Sequence, residues 1–384
     1  MFDPTTLVFV GLLAAAALLA YANGANDNFK AVATVYGSRI LGYERALAWA
    51  TASQILGSLA ALALASELIR RFSGKGLVPD ALVGRWDFLL AVGLGAALTV
   101  LLATRFGLPI STTHSLTGAL LGGGLMLAAG AVDLRVLGGR FALPLLISPF
   151  LALLLTLVLY LPATALRRRL ALDDASCVCL DQGAPEVVAV GSSRLQIVDS
   201  PPVPQLRVDH ADNCRRRYAG SIAGVPLAPL VDAGHLLSSG MLGFARGLND
   251  TPKVLGVLFA AQVAGIGAHV SQPAMLVAIT LAMATGGILH SRKLARTLGE
   301  EITEMNRGQG LVANAVASLL VIVASRFGVP VSTTHVSCGA IFGVATARRQ
   351  ANWRLVGGIV LAWIATLPLA ALLAAAIALA TRLA

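Results

Sequence analysis

Long uninterrupted apolar runs constrain this chain more than any other feature. They cover about 7–22, 46–68, 88–104, 141–166, 221–244, 254–268, 274–289, 310–325, 330–345 and 355–379. A bilayer core needs about 20 apolar residues of helix, and inside it every backbone polar group must be paired within the spanning segment. Only 12% of the residues are charged and the mean hydropathy is +0.78, against roughly 25% charged in a soluble domain. A β-barrel would show short alternating segments instead. The expected fold is an all-α polytopic membrane protein of about 10–12 membrane segments, some of them broken or re-entrant. The net charge of +10 does not indicate a nucleic-acid partner. The arginines cluster at the ends of apolar runs, as loop anchors do.

The runs are interrupted twice in the same way. Gly24-Ala25-Asn26-Asp27-Asn28-Phe29-Lys30 is followed by Gly107-Leu108-Pro109-Ile110-Ser111-Thr112-Thr113-His114. Gly247-Leu248-Asn249-Asp250-Thr251-Pro252-Lys253 is followed, at nearly the same separation, by Gly328-Val329-Pro330-Val331-Ser332-Thr333-Thr334-His335. The flank repeats as well: Ala103-Thr104-Arg105-Phe106-Gly107 against Ala324-Ser325-Arg326-Phe327-Gly328. The chain therefore reads as a duplicated unit, with a first transmembrane repeat in 1–166, an insert in 167–218 and a second repeat in 219–384. Matching interruptions in two halves are the best sequence pointer to a transporter's binding site.

The motifs carry two complementary chemistries. Pro109 and Pro330 end the preceding helices. Ser111 and Ser332 then fall at N-caps, with Thr112, Thr113, Thr333 and Thr334 in the first turns. Free N–H groups at a helix start, joined by hydroxyls, form an anion site. Two such starts brought together would hold one tetrahedral oxyanion with hydroxyls and N–H groups rather than arginines, so that it can leave again. Asp27 and Asp250 supply the other half. A carboxylate in an apolar run costs about 2.5–3.5 kcal/mol, and a hard cation such as Na⁺, held with the amides of Asn26 and Asn249, would offset that. Lys30 and Lys253, three positions on, lie within helical reach of the aspartates and either neutralise them or touch the anion. His114 and His335 are further candidates as proton-linked or packing groups.

The insert opens with Arg167-Arg168-Arg169, closes with Arg215-Arg216-Arg217 and contains short alternating runs such as 186–190. It reads as a soluble linker or small β-containing unit, cytoplasmic by the positive-inside rule, in a protein of the cytoplasmic membrane. Cys177, Cys179, His210 and Cys214 are zinc-ligand types at a spacing that fits no familiar site. Gly118, Gly122, Gly339 and Gly343 are placed for close helix packing, and Glu300 and Glu301 for a solvated helix face. The bilayer is the expected environment, and a homo-oligomer is one assembly open to such a chain.

The paired Gly-x-Asn-Asp and Pro-x-Ser-Thr-Thr-His motifs resemble those of the inorganic phosphate transporter (PiT) family. The resemblance runs from about Ala22 to the C-terminus apart from the insert, and includes the connector 295–303. It implies a secondary transporter, not an enzyme, with two inverted-topology repeats and a central phosphate site coupled to Na⁺ or H⁺, and no other cofactor. By position, Asn26, Asp27, Asn249 and Asp250 would serve cation and phosphate, while Ser111, Thr112, Thr113, Ser332, Thr333 and Thr334 would hold phosphate. Many relatives carry glutamate where this chain has Gln54 and Asn314, which puts the coupling ion and its number in question. The family also includes sulfate carriers. Two readings of other classes are a membrane enzyme acting on a phosphorylated lipid, with His114 and His335 as acid and base, and a phosphate sensor or scaffold signalling through the insert.

Overall fold

The apolar runs become helices in the computed structural model, which describes residues 4–170, 172, 176–182, 186–189, 195–198, 204–210, 225–267, 270–298, 305–349 and 351–383. Among the described residues, seven helices are long and apolar enough to cross a membrane: Thr5–Ala31, Tyr43–Leu64, Trp86–Arg105, Leu134–Arg169, Gln272–His290, Arg307–Arg326 and Trp353–Leu383. Two more, Thr112–Leu127 and Thr333–Arg348, have 16 residues each. At 1.5 Å per residue they span about 24 Å, short of the roughly 30 Å core, as re-entrant segments do. The helix Leu227–Val263 has 37 residues, about 56 Å at the same rise, longer than the core is thick. Leu146, Phe150, Leu154, Leu361, Ile364 and Leu372 are exposed on the outside, while the charged residues of both motifs are buried. Apolar outside and polar inside is the arrangement a bilayer selects.

The turn between each pair of motif helices has a local cause. Gly107 and Gly328 have φ of +70° and +65°, a left-handed conformation that glycine adopts without penalty. Each closes a Schellman motif. Leu108 N–H bonds Ala103 O at 3.0 Å and Gly107 N–H bonds Thr104 O at 3.0 Å. Val329 N–H bonds Ala324 O at 2.8 Å and Gly328 N–H bonds Ser325 O at 3.1 Å. The proline two residues past each glycine prevents the helix from resuming. Ser111 and Ser332 then sit in extended conformation, and their hydroxyls accept the N–H of His114 and His335 to start the next helix.

Glycines set the packing, and they do so reciprocally. A Cβ at Gly24 would lie 1.8 Å from Met283 O and one at Gly286 1.9 Å from Tyr21 O. The counterpart contacts are Gly247 to Gln54 O at 2.1 Å and Gly57 to Phe244 O at 1.9 Å. The motif helix of each repeat is thus pressed against a helix of the other. The same holds for Gly118 and Gly122 against the backbone of Leu367 and Ala371, and for Gly339 and Gly343 against that of Pro149 and Leu153.

One expectation is corrected. The first Asn-Asp motif does interrupt its helix: Pro4–Asp27 gives way to a 3₁₀ turn, Asn28–Ala31, before helix resumes at Ala33. The second does not, because Leu227–Val263 runs unbroken through Asn249, Asp250 and Pro252. Residues 245–258 are buried throughout. Packing on all sides holds the helix together across the one backbone bond that proline removes.

By contacts the chain forms two compact units, residues 1–160 with 235–384, and residues 161–234. The second contains the antiparallel order β4-β1-β5, where β1 is Ser176–Gln182, β4 is Pro204–His210 and β5 is Val225–Pro226. It also contains a β2–β3 pair, Glu186–Ala189 with Leu195–Val198. Cys177 and Cys179 both fall on β1. Cys214, Glu300 and Glu301 lie outside the described residues, and no cluster of three or more metal-ligating side chains occurs among the described ones.

Candidate functional site

The two lysines organise the buried polar centre. Lys30 lies on the 3₁₀ turn, and its Nζ donates to Asn26 Oδ1 at 3.0 Å, to Asp27 Oδ1, to Ile110 O at 2.9 Å and to Thr334 Oγ1 at 2.5 Å. Lys253 Nζ donates to Thr113 Oγ1 at 2.7 Å, to Val331 O at 2.7 Å and to Asp250 Oδ1 at 3.4 Å. Ile110 and Val331 are equivalent positions, as are Thr113 and Thr334. Each lysine therefore takes its aspartate and carbonyl from its own repeat and its threonine from the other. The threonines close the exchange: Thr334 Oγ1 donates to Ile110 O at 2.6 Å and Thr113 Oγ1 to Val331 O at 3.1 Å.

The remaining motif residues support this core. Thr112 Oγ1 donates to Asp27 Oδ2 and Thr333 Oγ1 to Asp250 Oδ2, both at 3.3 Å. Asn26 Nδ2 donates to Thr104 Oγ1 and Leu108 O, each at 3.0 Å, while Asn249 accepts from Ser325 Oγ at 3.2 Å and donates to Val331 O at 3.3 Å. These bonds hold the extended loops against the Asn-Asp motifs. Ser111 and Ser332 use their hydroxyls as caps. That leaves the N–H groups of Thr112, Thr113, Thr333 and Thr334, at the first two positions of each helix, without an intrahelical acceptor.

Two residues not singled out from the sequence complete the centre. Arg246 is fully buried; its Nη1 donates to Asn28 Oδ1 at 2.8 Å and its Nη2 to Asn23 Oδ1 at 3.0 Å. Its Nε lies 3.9 Å from Asp250 Oδ2 and makes no hydrogen bond. Asn23 Nδ2 reaches Asp27 Oδ2 and Thr112 Oγ1 at 2.9 Å and Asp250 Oδ2 at 3.4 Å, so it touches both aspartates. The sequence did hold a signal: Asn23 and Arg246 each stand four residues before their aspartate, and a charge inside an apolar run marks function by default. The site thus contains an arginine, where hydroxyls and N–H groups alone were expected. Lys30, Lys253 and Arg246 against Asp27 and Asp250 leave a formal charge of +1, with all five side chains at most 3% exposed.

Residues 23–374 match the phosphate transporter family. The chain belongs to that family. A protein named as a phosphate permease in Pyrococcus abyssi is 27% identical over 94% of each chain. One named as a low-affinity inorganic phosphate transporter in Rhizobium meliloti is 28% identical over 96% of each. A solved structure titled "The sodium-dependent phosphate transporter" has the same fold, with a TM-score of 0.75 at 20% identity over 98% of this chain and 99% of that one. The protein is accordingly a transmembrane member of a transporter family and not an enzyme.

The other expected residues of this phosphate transporter family member lie at the margin of the centre. Gln54 Nε2 donates to Ser58 Oγ at 2.7 Å, and Ser58 meets Thr251 Oγ1 at 2.7 Å, beside Asp250. Asn314 Nδ2 donates to Thr34 Oγ1 at 2.8 Å, which also meets His235 Nε2 at 2.9 Å. His114 and His335 come together with ring centroids 4.5 Å apart, and His335 lies against Trp363 at 4.0 Å. Both border an apolar cavity of about 690 Å³ shared with Leu145, Pro149 and Phe342. They sit one helical turn beyond the Ser caps and contact neither aspartate by hydrogen bond.

Proposed function

We propose that this protein is a secondary active transporter that imports inorganic phosphate across the cytoplasmic membrane by alternating access. The observation that carries the reading is the charge of the buried centre. Three cations face two carboxylates at the place where two Ser-capped helix starts, one from each repeat, converge on the Asn-Asp motifs. A monoanion brings that formal charge to zero and a dianion to −1.

In this reading the free first-turn N–H groups of Thr112, Thr113, Thr333 and Thr334 bind phosphate oxygens, with Ser111 and Ser332 fixing the helix starts. Arg246 contributes its unbonded Nε–H. Asn26, Asn249, Asp27 and Asp250 position the loops and lysines. A phosphate O–H can also donate to Asp27 or Asp250, whereas fully ionised sulfate has no proton to give. Moving one negative charge inward against about 100 mV costs about 2.3 kcal/mol, so uptake draws on an ion gradient, of Na⁺ or H⁺.

The test is uptake of labelled phosphate into liposomes holding the purified protein, under inward Na⁺ or H⁺ gradients. Saturable uptake, displaced by unlabelled phosphate and poorly by sulfate, is the expected result. Sulfate uptake without phosphate uptake would overturn the substrate.

A further inference from the structure

The oxygens around each buried lysine make up the shell that a desolvated cation would need. We propose that the ammonium groups of Lys30 and Lys253 are tethered counter-ions standing in place of transported Na⁺, so that phosphate uptake by this chain does not depend on sodium. The proposal rests on the phosphate reading above and names its ion requirement.

A hard cation binds carboxylate, amide, carbonyl and hydroxyl oxygens. Lys30 Nζ has one of each, from Asp27, Asn26, Ile110 and Thr334. Lys253 Nζ has three of the four kinds, from Asp250, Val331 and Thr113. An ammonium has three N–H donors and no acceptor, so each lysine spends its full donor capacity inside its shell. A second cation in the same shell would face a like charge at contact distance in a poorly screened interior. Neither lysine has water to retreat to, since they are 3% and 1% exposed.

The negative charge is matched as well. Asp27 and Asp250 are the buried carboxylates at this centre among the described residues, and each is matched to its own lysine. Gln54 and Asn314, at the margin of the two motifs, are neutral amides and bring no further negative charge. With Arg246 the centre already holds one more positive charge than negative before any ion arrives. Two added Na⁺ would raise the formal charge to +3 and overshoot even a dianion.

The shells also show why both lysines are needed. Each takes a threonine from the opposite repeat, so each ammonium ties the two halves of the site together from inside. A mobile ion in that place would have to bind and leave in every cycle, whereas the tethered one remains.

The experiment is uptake of labelled phosphate by the wild-type protein in liposomes, with external Na⁺ replaced by choline at constant pH and potential. Rates within about threefold of each other, roughly half of a tenfold or 1.4 kcal/mol step, are expected. A larger fall in choline overturns the proposal while leaving phosphate transport standing. Absence of phosphate uptake in every medium removes the reading underneath, and the proposal with it. A second arm uses Lys30→Ala, which empties a four-oxygen shell. Its Tm in detergent should rise on adding Na⁺ while the wild-type Tm does not, and its uptake should become sodium-stimulated. A folded Lys30→Ala protein with equal Tm and equal uptake in Na⁺ and choline would refute the stand-in role. If that variant does not fold, the wild-type ion replacement still decides.

Discussion

Thr113 and Thr334 carry matched loads, and the match gives a quantitative prediction. Thr334 Oγ1 accepts from Lys30 at 2.5 Å and donates to Ile110 O at 2.6 Å; Thr113 Oγ1 accepts from Lys253 at 2.7 Å and donates to Val331 O at 3.1 Å. Valine keeps the volume and the β-branch and makes neither bond. Each substitution removes one hydrogen bond from a charged group, worth about 1.5–3 kcal/mol, and one neutral bond, worth about 0.5–1.5 kcal/mol. Both threonines are buried, so water does not replace what is lost. Thr113→Val and Thr334→Val should therefore each destabilise by about 2–4 kcal/mol, and the two values should agree within about 1 kcal/mol. The two sets of contacts share no direct partner, but Asn23 touches both aspartates and joins them into one network, so the double variant should depart from the sum by about 0.5 kcal/mol or more. Equilibrium unfolding of the purified variants in mixed micelles measures all three. If one substitution were neutral and the other costly, the reciprocal exchange between repeats would not be an energetic feature of the fold, and the reasoning from it would fail.

Three further substitutions test other parts of the site and scaffold. Arg246→Gln takes the formal charge of the centre from +1 to zero and should weaken phosphate binding by about 10- to 100-fold, or about 1.4–2.8 kcal/mol. Arg246→Lys should recover only part of it, since an ammonium cannot reproduce the guanidinium fork to Asn23 and Asn28, as read from the KM of uptake. Asp27→Asn leaves Lys30 buried without its carboxylate and should destabilise by about 3–5 kcal/mol, most of it restored in the Asp27→Asn, Lys30→Met double variant, as measured by unfolding in micelles. Gly122→Ala places a Cβ 1.9 Å from Ala371 O and should cut the monodisperse folded yield, whereas Gly139→Ala, with nothing within 4 Å, should not; size-exclusion chromatography separates them.

Much of this architecture was legible because the bilayer leaves few choices. Uninterrupted apolar runs had to become helices, and Gly107-Leu108-Pro109 and Gly328-Val329-Pro330 had to stop them, since a left-handed glycine followed by proline is a complete termination signal. Glycines at 118, 122, 339 and 343 read correctly as contact points. The continuity of Leu227–Val263 was not legible. Asn-Asp-Thr-Pro reads as a break on local grounds, and only burial on every side keeps that helix intact. In the first repeat the chain does break, and Asn28 is held there by Thr51 through a 2.8 Å bond and by Arg246 through another of 2.8 Å. Both partners are remote in sequence. Nor does spacing tell which threonine serves which lysine. Local reach pairs Lys30 with Asp27, but the crossing to Thr334 exists only once the repeats are docked.

Arg246 and Asn23 show where the duplication had to be broken. In an isologous arrangement, residue i meets j and j meets i, which describes Lys30 with Thr334 and Lys253 with Thr113. The two motif copies also bring one position against its own counterpart. Asn23 and Arg246 are such counterparts, each four residues before its aspartate, and Arg246 Nη2 donates to Asn23 Oδ1 at 3.0 Å. Identical residues serve badly there. Two arginines would set like charges at contact distance in a dry interior, and two asparagines would leave the centre without its surplus positive charge. One asparagine and one arginine give a single charge and a hydrogen bond in place of a repulsion. It follows that the charge matters more than which repeat supplies it. Arg246→Asn should lose phosphate affinity about as Arg246→Gln does, while the exchanged double variant, Asn23→Arg with Arg246→Asn, restores the +1 and should regain about tenfold in affinity, or about 1.4 kcal/mol. Labelled phosphate binding to the purified variants reads this directly. An exchanged variant that folds, yet binds no better than Arg246→Asn, would show that Arg246 acts through its particular contacts to Asn28 and Asp250 and not as the surplus charge of the centre.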